Sequence, residues 1–379
     1  MKRALYYRVK PPLVTIIVLT YNGSSMTLDC LAAVKSFTLL PYEVILVDNG
    51  SNIAEKEILQ RGLKLLTEFP FRLIQHTHNI GYTAANNDAA RVAHGEILVL
   101  LNNDVIVTSG WLEPLVDFLE KHPSAAACQP KLHSFAEKDY FDYAGGAGGF
   151  LDAFGYPFTR GRIFNHIEKD YGQYDTIKEI SWATGACLAV NKKAFFEIHG
   201  FDEYLLRYCE EVDLCIRLRE KNYKIYCVPQ SLVYHYGAYT NDKNLSNKTY
   251  LIHRNHMYLI LKYYSLWPYL PLIMCRILFD AAAIYYYARE LRFNFIVALI
   301  RAYITLIREL PYLIKQKIIT WSGRSLLVNN TIYKGSIVID YFLLNRKNFD
   351  EIVNKDSSGR TKSKIRQYKR YQDITFPSP

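Results

Sequence analysis

Short apolar runs alternate with amphipathic stretches through the first hundred residues. Val14 to Thr20, Glu43 to Val47, Phe71 to Gln75 and Ile97 to Leu101 are rich in Val, Ile, Leu and Phe, a composition that predicts strands. Between them, Thr27 to Ser36, Glu55 to Glu68 and Ala84 to Ala93 carry apolar residues at helical spacing, which predicts helices. This alternation implies an α/β fold built on a parallel sheet with helices on both faces. Ligands of such sheets bind beyond the carboxyl ends of the strands. Here those ends turn polar together: Thr20-Tyr21-Asn22, Asp48-Asn49-Gly50-Ser51 and Asn102-Asn103-Asp104. Asn and Asp collect in strand-ending turns. An Asp oxygen also binds Mg²⁺ or Mn²⁺ while the ion holds a diphosphate. Three converging endings favour a binding edge over three unrelated turns.

The pattern then changes. Residues 135 to 180 hold Gly145-Gly146-Ala147-Gly148-Gly149 among aromatics, followed by Arg160-Gly161-Arg162. They read as a long loop or irregular insertion, of a length that is often functional. The glycines lack the strand–turn–helix context of a phosphate fingerprint. The two arginines suit either phosphate or a solvated surface. Regularity returns with Ile180 to Asn191, a helix at Lys192 to Ile198, a helix from Glu210 to Glu220 and a strand at Tyr226 to Tyr234 that runs into His235. The helix from Glu210 opens with Glu210, Glu211 and Asp213. Acids in a first turn complement the helix dipole, but three in four positions exceed what capping requires.

From about Tyr250 the chain becomes helical and strongly apolar. Trp267 to Tyr287 nears the length of a membrane span, yet Arg276 and Asp280 interrupt it, and Arg301 and Arg308 lie within Phe293 to Leu313. Membrane spans carry few or no charges. These stretches are therefore expected to be amphipathic helices that pack on the catalytic domain, on a partner or in a membrane interface. Ser336 to Leu344 is a last apolar run. Beyond it Arg346, Lys347, Arg360, Lys362, Lys364, Arg366, Lys369 and Arg370 form a basic, loosely ordered tail able to meet anionic lipid.

Composition narrows the picture. The 379 residues are half hydrophobic and carry a formal charge of +10, so one large domain with an appendage and basic surfaces are expected. No nucleic-acid motif accompanies the charge, which favours phosphates and membrane surface as partners and excludes nucleic acid. Thirty-one tyrosines suit carbohydrate or interfacial surfaces. The seven cysteines are odd in number and form no Cys-x-x-Cys pair, which argues against a disulfide framework and a zinc site. The sequence opens Met1-Lys2-Arg3 without a signal-peptide stretch. A cytoplasmic protein, free or peripheral on the inner face of the cell membrane, is the expectation.

Taken in order, these motifs resemble the inverting nucleotide-sugar glycosyltransferases of family 2, whose fold is GT-A, and most closely a rhamnosyltransferase-like branch that builds surface polysaccharides. The matching pieces are Thr20-Tyr21-Asn22, Val47 to Ser51, Asn79-Ile80-Gly81-Tyr82, Asn87, Leu101 to Asp104, Thr184-Gly185-Ala186, Gly200 to Glu203, Glu210 to Asp213 and His235, and more loosely Arg254-Asn255. The resemblance implies a Rossmann-like mixed sheet with flanking helices, plus the C-terminal amphipathic helices. It divides the chain into a catalytic domain over 1–245, a mostly helical region over 246–344 and the tail over 345–379. Within the catalytic domain, about 12–108 is the donor half and about 109–245 the acceptor half.

Roles follow from the same resemblance. Thr20, Tyr21, Asn22 and Asp48 would hold the nucleoside; a carboxylate accepts the N3–H of uracil or thymine. Asn79, Gly81, Asn87, Asn102, Asn103, Gly185 and Ala186 would complete the donor site. Asp104 would bind Mn²⁺ or Mg²⁺ with His235 as second ligand, Asn102 replacing the first Asp of the family's Asp-x-Asp motif. Glu211 would be the base that takes the acceptor proton, with Glu210 in reserve and Asp213 binding acceptor or capping the helix. The implied reaction moves one sugar, from dTDP-rhamnose or a UDP-sugar, to a glycan or lipid-linked glycan. A processive polysaccharide synthase would add a Gln-x-x-Arg-Trp signature and clean membrane spans. A non-catalytic nucleotide- or glycan-binding module would lack the acids or the metal Asp. A nucleotidyltransferase would need a glycine-rich loop after the first strand, which Thr20-Tyr21-Asn22-Gly23 does not supply.

Overall fold

The structure, a computed structural model, describes residues 14–237, 245–264, 266–320 and 331–353. In chain order the first elements are β1 (Val14–Thr20), α1 (Ser24–Phe37), β2 (Tyr42–Asp48), α2 (Ile53–Leu63), β3 (Phe71–Gln75), α3 (Tyr82–Val92), β4 (Ile97–Asn102) and β5 (Val105–Val107). Next come α4 (Glu113–Lys121), β6 (Ala125–Ser134), β7 (Gly149–Asp152), β8 (Pro157–Thr159), β9 (Arg162–Ile163), β10 (His166–Ile167), β11 (Lys178–Glu179), β12 (Cys187–Asn191), α5 (Lys192–Glu197), α6 (Glu210–Glu220) and β13 (Lys224–His235). The remainder is α7 (Leu245–Tyr263), α8 (Leu266–Arg289), α9 (Phe293–Arg308), α10 (Leu310–Thr320), β14 (Ile332–Tyr333) and α11 (Phe349–Val353).

Within these residues nine strands form one mixed sheet in the order β11-β13-β6-β12-β4-β1-β2-β3, with β5 added alongside β13. β3, β2, β1 and β4 run parallel. β12 then enters antiparallel beside β4. Alternation within each strand divides the core into two layers. Val14, Ile16 and Val18 of β1 pack with Leu31, Val34 and Leu59 of α1 and α2 on one face. Ile17 packs with Ala85 and Ala89 of α3 on the other. These side chains are almost fully buried, each stabilising the fold by about 1.5–3 kcal/mol for the larger ones.

Several expectations need correction. α2 stops at Leu63 instead of Glu68, because Leu65 and Leu66 close tight turns onto Gly62 and Leu63 and Leu65 faces solvent. Residues 135–180 are not an irregular loop. They build most of a second, five-stranded sheet in the order β10-β9-β8-β7-β14. Its strands are two to four residues long, too short to show a period of two. Arg160 and Arg162 serve neither phosphate nor a solvated surface. Arg160 Nε donates to the Ala147 carbonyl at 2.8 Å, and Arg162 Nη1 to the Tyr143 carbonyl at 2.7 Å.

The start of the basic tail is anchored as well. Phe349 is buried against Phe150, Phe158 and Tyr174, and Arg346 pairs with Asp340 at 2.6 Å. The basic residues from Arg360 to Arg370 lie outside the described residues. Among the described residues no helix is long and apolar enough to cross a membrane. α7 and the inner faces of α9 and α10 pack on the rest of the molecule: Ala298 and Ala302 lie against Tyr250, and Lys317 Nζ donates to the Leu261 carbonyl.

Candidate active site

Parallel pairing brings the ends of β1, β2 and β4 to one edge of the sheet. Hydrogen bonds between loops shape that edge. Thr27 Oγ1 donates to Thr20 Oγ1 at 2.8 Å and receives Asn103 Nδ2 at 3.0 Å. Asn22, with a left-handed φ of 52°, accepts the Asn52 amide at 2.9 Å. Tyr21 is half exposed at the rim. Asp48 is fully buried; Oδ1 accepts the Ser51 amide at 2.9 Å. Its Oδ2 has no hydrogen-bond partner and lies 3.9 Å from Lys56 Nζ.

Two glycines are required here. At Gly50, φ is +79° and a Cβ would stand 2.4 Å from the His78 carbonyl carbon. At Gly81, which precedes α3, φ is +93°, a conformation that disfavours any side chain. Asn49 braces the segment: it donates to Asn79 Oδ1 at 3.0 Å and to the Gly81 carbonyl at 3.1 Å, and accepts the Ile80 amide at 3.1 Å. Asn79 Oδ1 is thereby engaged inside the loop. Asn87 departs from its expected donor role. Its amide nitrogen donates to the Phe201 carbonyl and its oxygen accepts the Phe201 amide, so it holds the Gly200–Glu203 turn.

Register explains how Asp104 meets His235. Val105, the first residue of β5, pairs with His235, the last of β13, and the Tyr236 amide donates to the Asp104 carbonyl at 2.9 Å. Asp104 Oδ1 and His235 Nε2 then face each other at 3.2 Å. The other ring nitrogen, Nδ1, lies 2.8 Å from Asp142 Oδ1. All three side chains are buried. Burial alone would lower the imidazole pKa, but the charges of Asp142 and Asp104 raise it well above the ordinary histidine value. Burial likewise opposes ionisation of Asp104, yet the positive charge of His235 holds its carboxyl below the usual range.

The acidic pair arrives from the opposite side. α6 begins after a strained segment in which Leu206, Tyr208 and Cys209 have φ of 59°, 69° and 66°. Each such residue costs about 1–3 kcal/mol, and strain of this kind persists only where neighbours enforce it. Asn255 Nδ2 does so by donating to the carbonyls of Leu205, Arg207 and Tyr208 at 2.7–3.0 Å. Arg254 Nη2 adds a bond to the Tyr204 carbonyl at 3.0 Å. The Leu206 carbonyl in turn accepts the Tyr82 amide at 3.0 Å, which ties the acidic segment to the donor half.

Glu210 is buried, and burial together with the neighbouring Glu211 charge raises its pKa well above the carboxylate range. Glu211 is half-buried and also raised, by burial. Beside it lie Gly185, whose missing Cβ leaves room between Tyr82 and Glu211, and Ala186, whose carbonyl accepts the Asn102 amide at 2.9 Å. The Tyr82 hydroxyl donates to the Gly185 carbonyl at 3.2 Å. Its pKa is raised first by burial, then by the charges of Glu210, Glu211 and Asp104. Tyr82 thus senses the charges of both the acidic pair and Asp104.

Asp213 is engaged elsewhere. Its carboxylate is fully buried and receives Lys262 Nζ at 2.7 Å, Arg217 Nε at 2.7 Å and the Tyr263 hydroxyl at 2.5 Å. It neither binds an acceptor nor caps the helix. Asn49 belongs to the polar ending of β2 but has no role assigned from sequence, and two further residues, Asp142 and Arg207, escape the sequence pattern altogether. Arg207 lies close enough to lower the pKa of both Glu210 and Asp104.

A model of glycosyl transferase family 2 matches residues 15–196. These residues form a glycosyl transferase family 2 domain. The chain is 28% identical to the O-antigen biosynthesis protein RfbC of Myxococcus xanthus over 62% of its own length, but spans only 18% of that protein. It is 24% identical to the N-acetylglucosaminyl-diphospho-decaprenol L-rhamnosyltransferase of Mycobacterium tuberculosis (strain H37Rv), covering 68% of this chain and 87% of the relative. The solved structure of GalNAc-T7 with UDP, GalNAc and Mn²⁺ shares the fold with a TM-score of 0.54 at 18% identity, over 68% of this chain and 49% of that one. This family 2 glycosyltransferase therefore has the GT-A architecture that its motifs implied.

Among the described residues no three His, Cys, Asp or Glu side chains form a metal cage. The pair present nevertheless fits a divalent ion that takes its remaining ligands from a diphosphate and water. Bonds of about 2.1 Å set at right angles put two ligand atoms about 3 Å apart, near the observed 3.2 Å. The Asp142 contact to the far ring nitrogen matches the carboxylate–histidine support common behind metal-binding imidazoles.

Proposed function

We propose that this chain transfers one sugar from a nucleotide-diphosphate sugar to a hydroxyl of a glycan or lipid-linked glycan, with inversion at the anomeric carbon. One observation carries the reading: the buried Asp104–His235 pair stands where β5 meets the end of β13, and the charges of Asp104, Glu210 and Glu211 all reach the Tyr82 hydroxyl beside Gly185. Asp48 Oδ2, a buried acceptor without a hydrogen-bond partner, suits the N3–H of uracil or thymine. The rhamnosyl transfer in the mycobacterial relative's name favours dTDP-rhamnose as donor, with UDP-sugars next.

Asp104 and His235 would hold Mn²⁺ or Mg²⁺, which when bound supplies positive charge to the leaving diphosphate. Arg207 adds a fixed cation on the same side. Glu211, the more accessible carboxylate, takes the proton from the acceptor hydroxyl. Glu210 is the deeper of the two, and burial with the Glu211 charge raises its proton affinity. Attack on the face away from the diphosphate inverts the sugar.

Thermal melting with Mn²⁺ and a panel of dTDP- and UDP-sugars tests this. The matching donor should raise the melting temperature by mass action, and Asp104→Ala should abolish the increase. Equal stabilisation by the donor in EDTA would overturn the metal assignment.

A further inference from the structure

The last long helices expose apolar surface where a folded domain normally shows polar residues. On α9, Phe293, Val297, Ile300, Ile304 and Ile307 are all exposed, Val297 by 64% and Ile307 by 71%. Their steps of four and three keep them within an arc of about 80° at about 100° per residue. The buried residues of the helix, Ala298, Leu299, Ala302 and Leu306, occupy the opposite side. The stripe continues on α10 with Leu310, Ile314 and Ile318, spaced by four, and on α8 with Met274, Ile277 and Leu278. Scattered exposed apolar residues are ordinary, but rows on three successive helices mark an interaction surface.

Charge identifies what covers it. Arg301 and Arg308 each follow a stripe residue by one position and so flank the stripe. Arg289 and Lys315 are exposed on the adjoining helices, and Glu290 is the exposed acid among the described residues of α8–α10 and the turns between them. An apolar strip edged by cations matches an anionic bilayer, in which acyl chains meet the strip and headgroups the arginines. We propose that α8–α10 dock in the plane of an anionic lipid surface. The same helices touch the acceptor side of the site: Glu309 accepts the Tyr204 hydroxyl, and Tyr312 stacks on Tyr204 at 4.9 Å. These contacts use the faces opposite the apolar rows, so docking would hold the strained segment ahead of Glu210 on the side of the helices away from the lipid. This surface stands independently of the transfer reaction.

Flotation of the full chain with vesicles tests the proposal, using phosphatidylcholine alone and phosphatidylcholine with phosphatidylglycerol. The chain should float with the anionic vesicles. Val297→Asp with Ile304→Asp should weaken binding at least about tenfold, given the apolar area lost. Arg301→Glu with Arg308→Glu should remove the preference for anionic lipid, at least about tenfold from two reversed charges. The charge pair lies on the surface and carries the test if the aspartates prevent folding. Absence of flotation, or equal flotation of both variants and the unaltered chain, would overturn it. So would a dimer in sedimentation that Ile304→Asp dissociates, since a second copy would then occupy the strip.

Discussion

Glu211 and Asp213 stand two residues apart on the first turn of α6 and meet opposite surroundings. Residues at that spacing point to nearly opposite sides of a helix. Asp213 faces inward, where Arg217, Lys262 and Tyr263 surround it. Burial would raise its pKa, but the two cations and the hydrogen bonds bring it down to about 2. Glu211 faces the sheet edge, and among the described residues no cation pairs with it in a salt bridge; its pKa is raised by burial. A carboxylate given partners becomes scaffold, whereas one denied them gains proton affinity and can act as a base.

The largest effect separating the two concerns turnover. Glu211→Gln should lower the transfer rate by about 10²–10⁴, the usual contribution of a general base, while donor-nucleotide affinity measured by calorimetry stays unchanged. Near-normal turnover would move the role to Glu210. Asp213→Asn should act on the fold: it leaves Lys262 and Arg217 buried with one compensating charge fewer, at a cost of about 3–5 kcal/mol in denaturant unfolding. A stable Asp213→Asn protein with lost activity would erase the distinction.

Acidity sharpens the contrast further. Asp213 titrates lower in the folded chain than its ordinary 3.8, so it contributes stability above about pH 4 that is lost as pH falls toward 2. The loss should be about 2 kcal/mol, seen as an acid shift in unfolding that Asp213→Asn lacks. Glu211 predicts a pH–rate profile for kcat/KM whose rising limb lies above the ordinary carboxylate range, because the base must lose its proton to work. A limb near pH 4 would argue against it.

Much of this was legible in the sequence. Strands buried on both faces announce themselves as apolar runs, so β1, β2 and β4 and their polar endings could be placed directly. Asp104 and His235 stood out at the polar ends of apolar strands and Glu211 in an acidic cluster at a helix start, and the family resemblance suggested their roles. Asp142 did not, since only tertiary pairing brings it to His235, and it sits in a stretch whose strands are too short for a periodic signal. Asn87 and Asp213 misled for a related reason. Residue type tells what a side chain can bond, but not whether the fold has already supplied the partner. Arg207 was hidden in a segment whose left-handed backbone has no sequence mark without glycine.

The pairing of β5 with β13 also has a consequence in time. A chain emerging from the ribosome can form β1, β2 and β4 early, and with them the loops around Asp48. His235 lies 93 positions beyond Asp142, so the imidazole must wait until nearly all of the large sheet has been synthesised. Until then Asp104 lacks its histidine, although Asp142 has already been synthesised. A partly made chain therefore has the loops around Asp48 but lacks the Asp104–His235 pair until β13 closes the sheet.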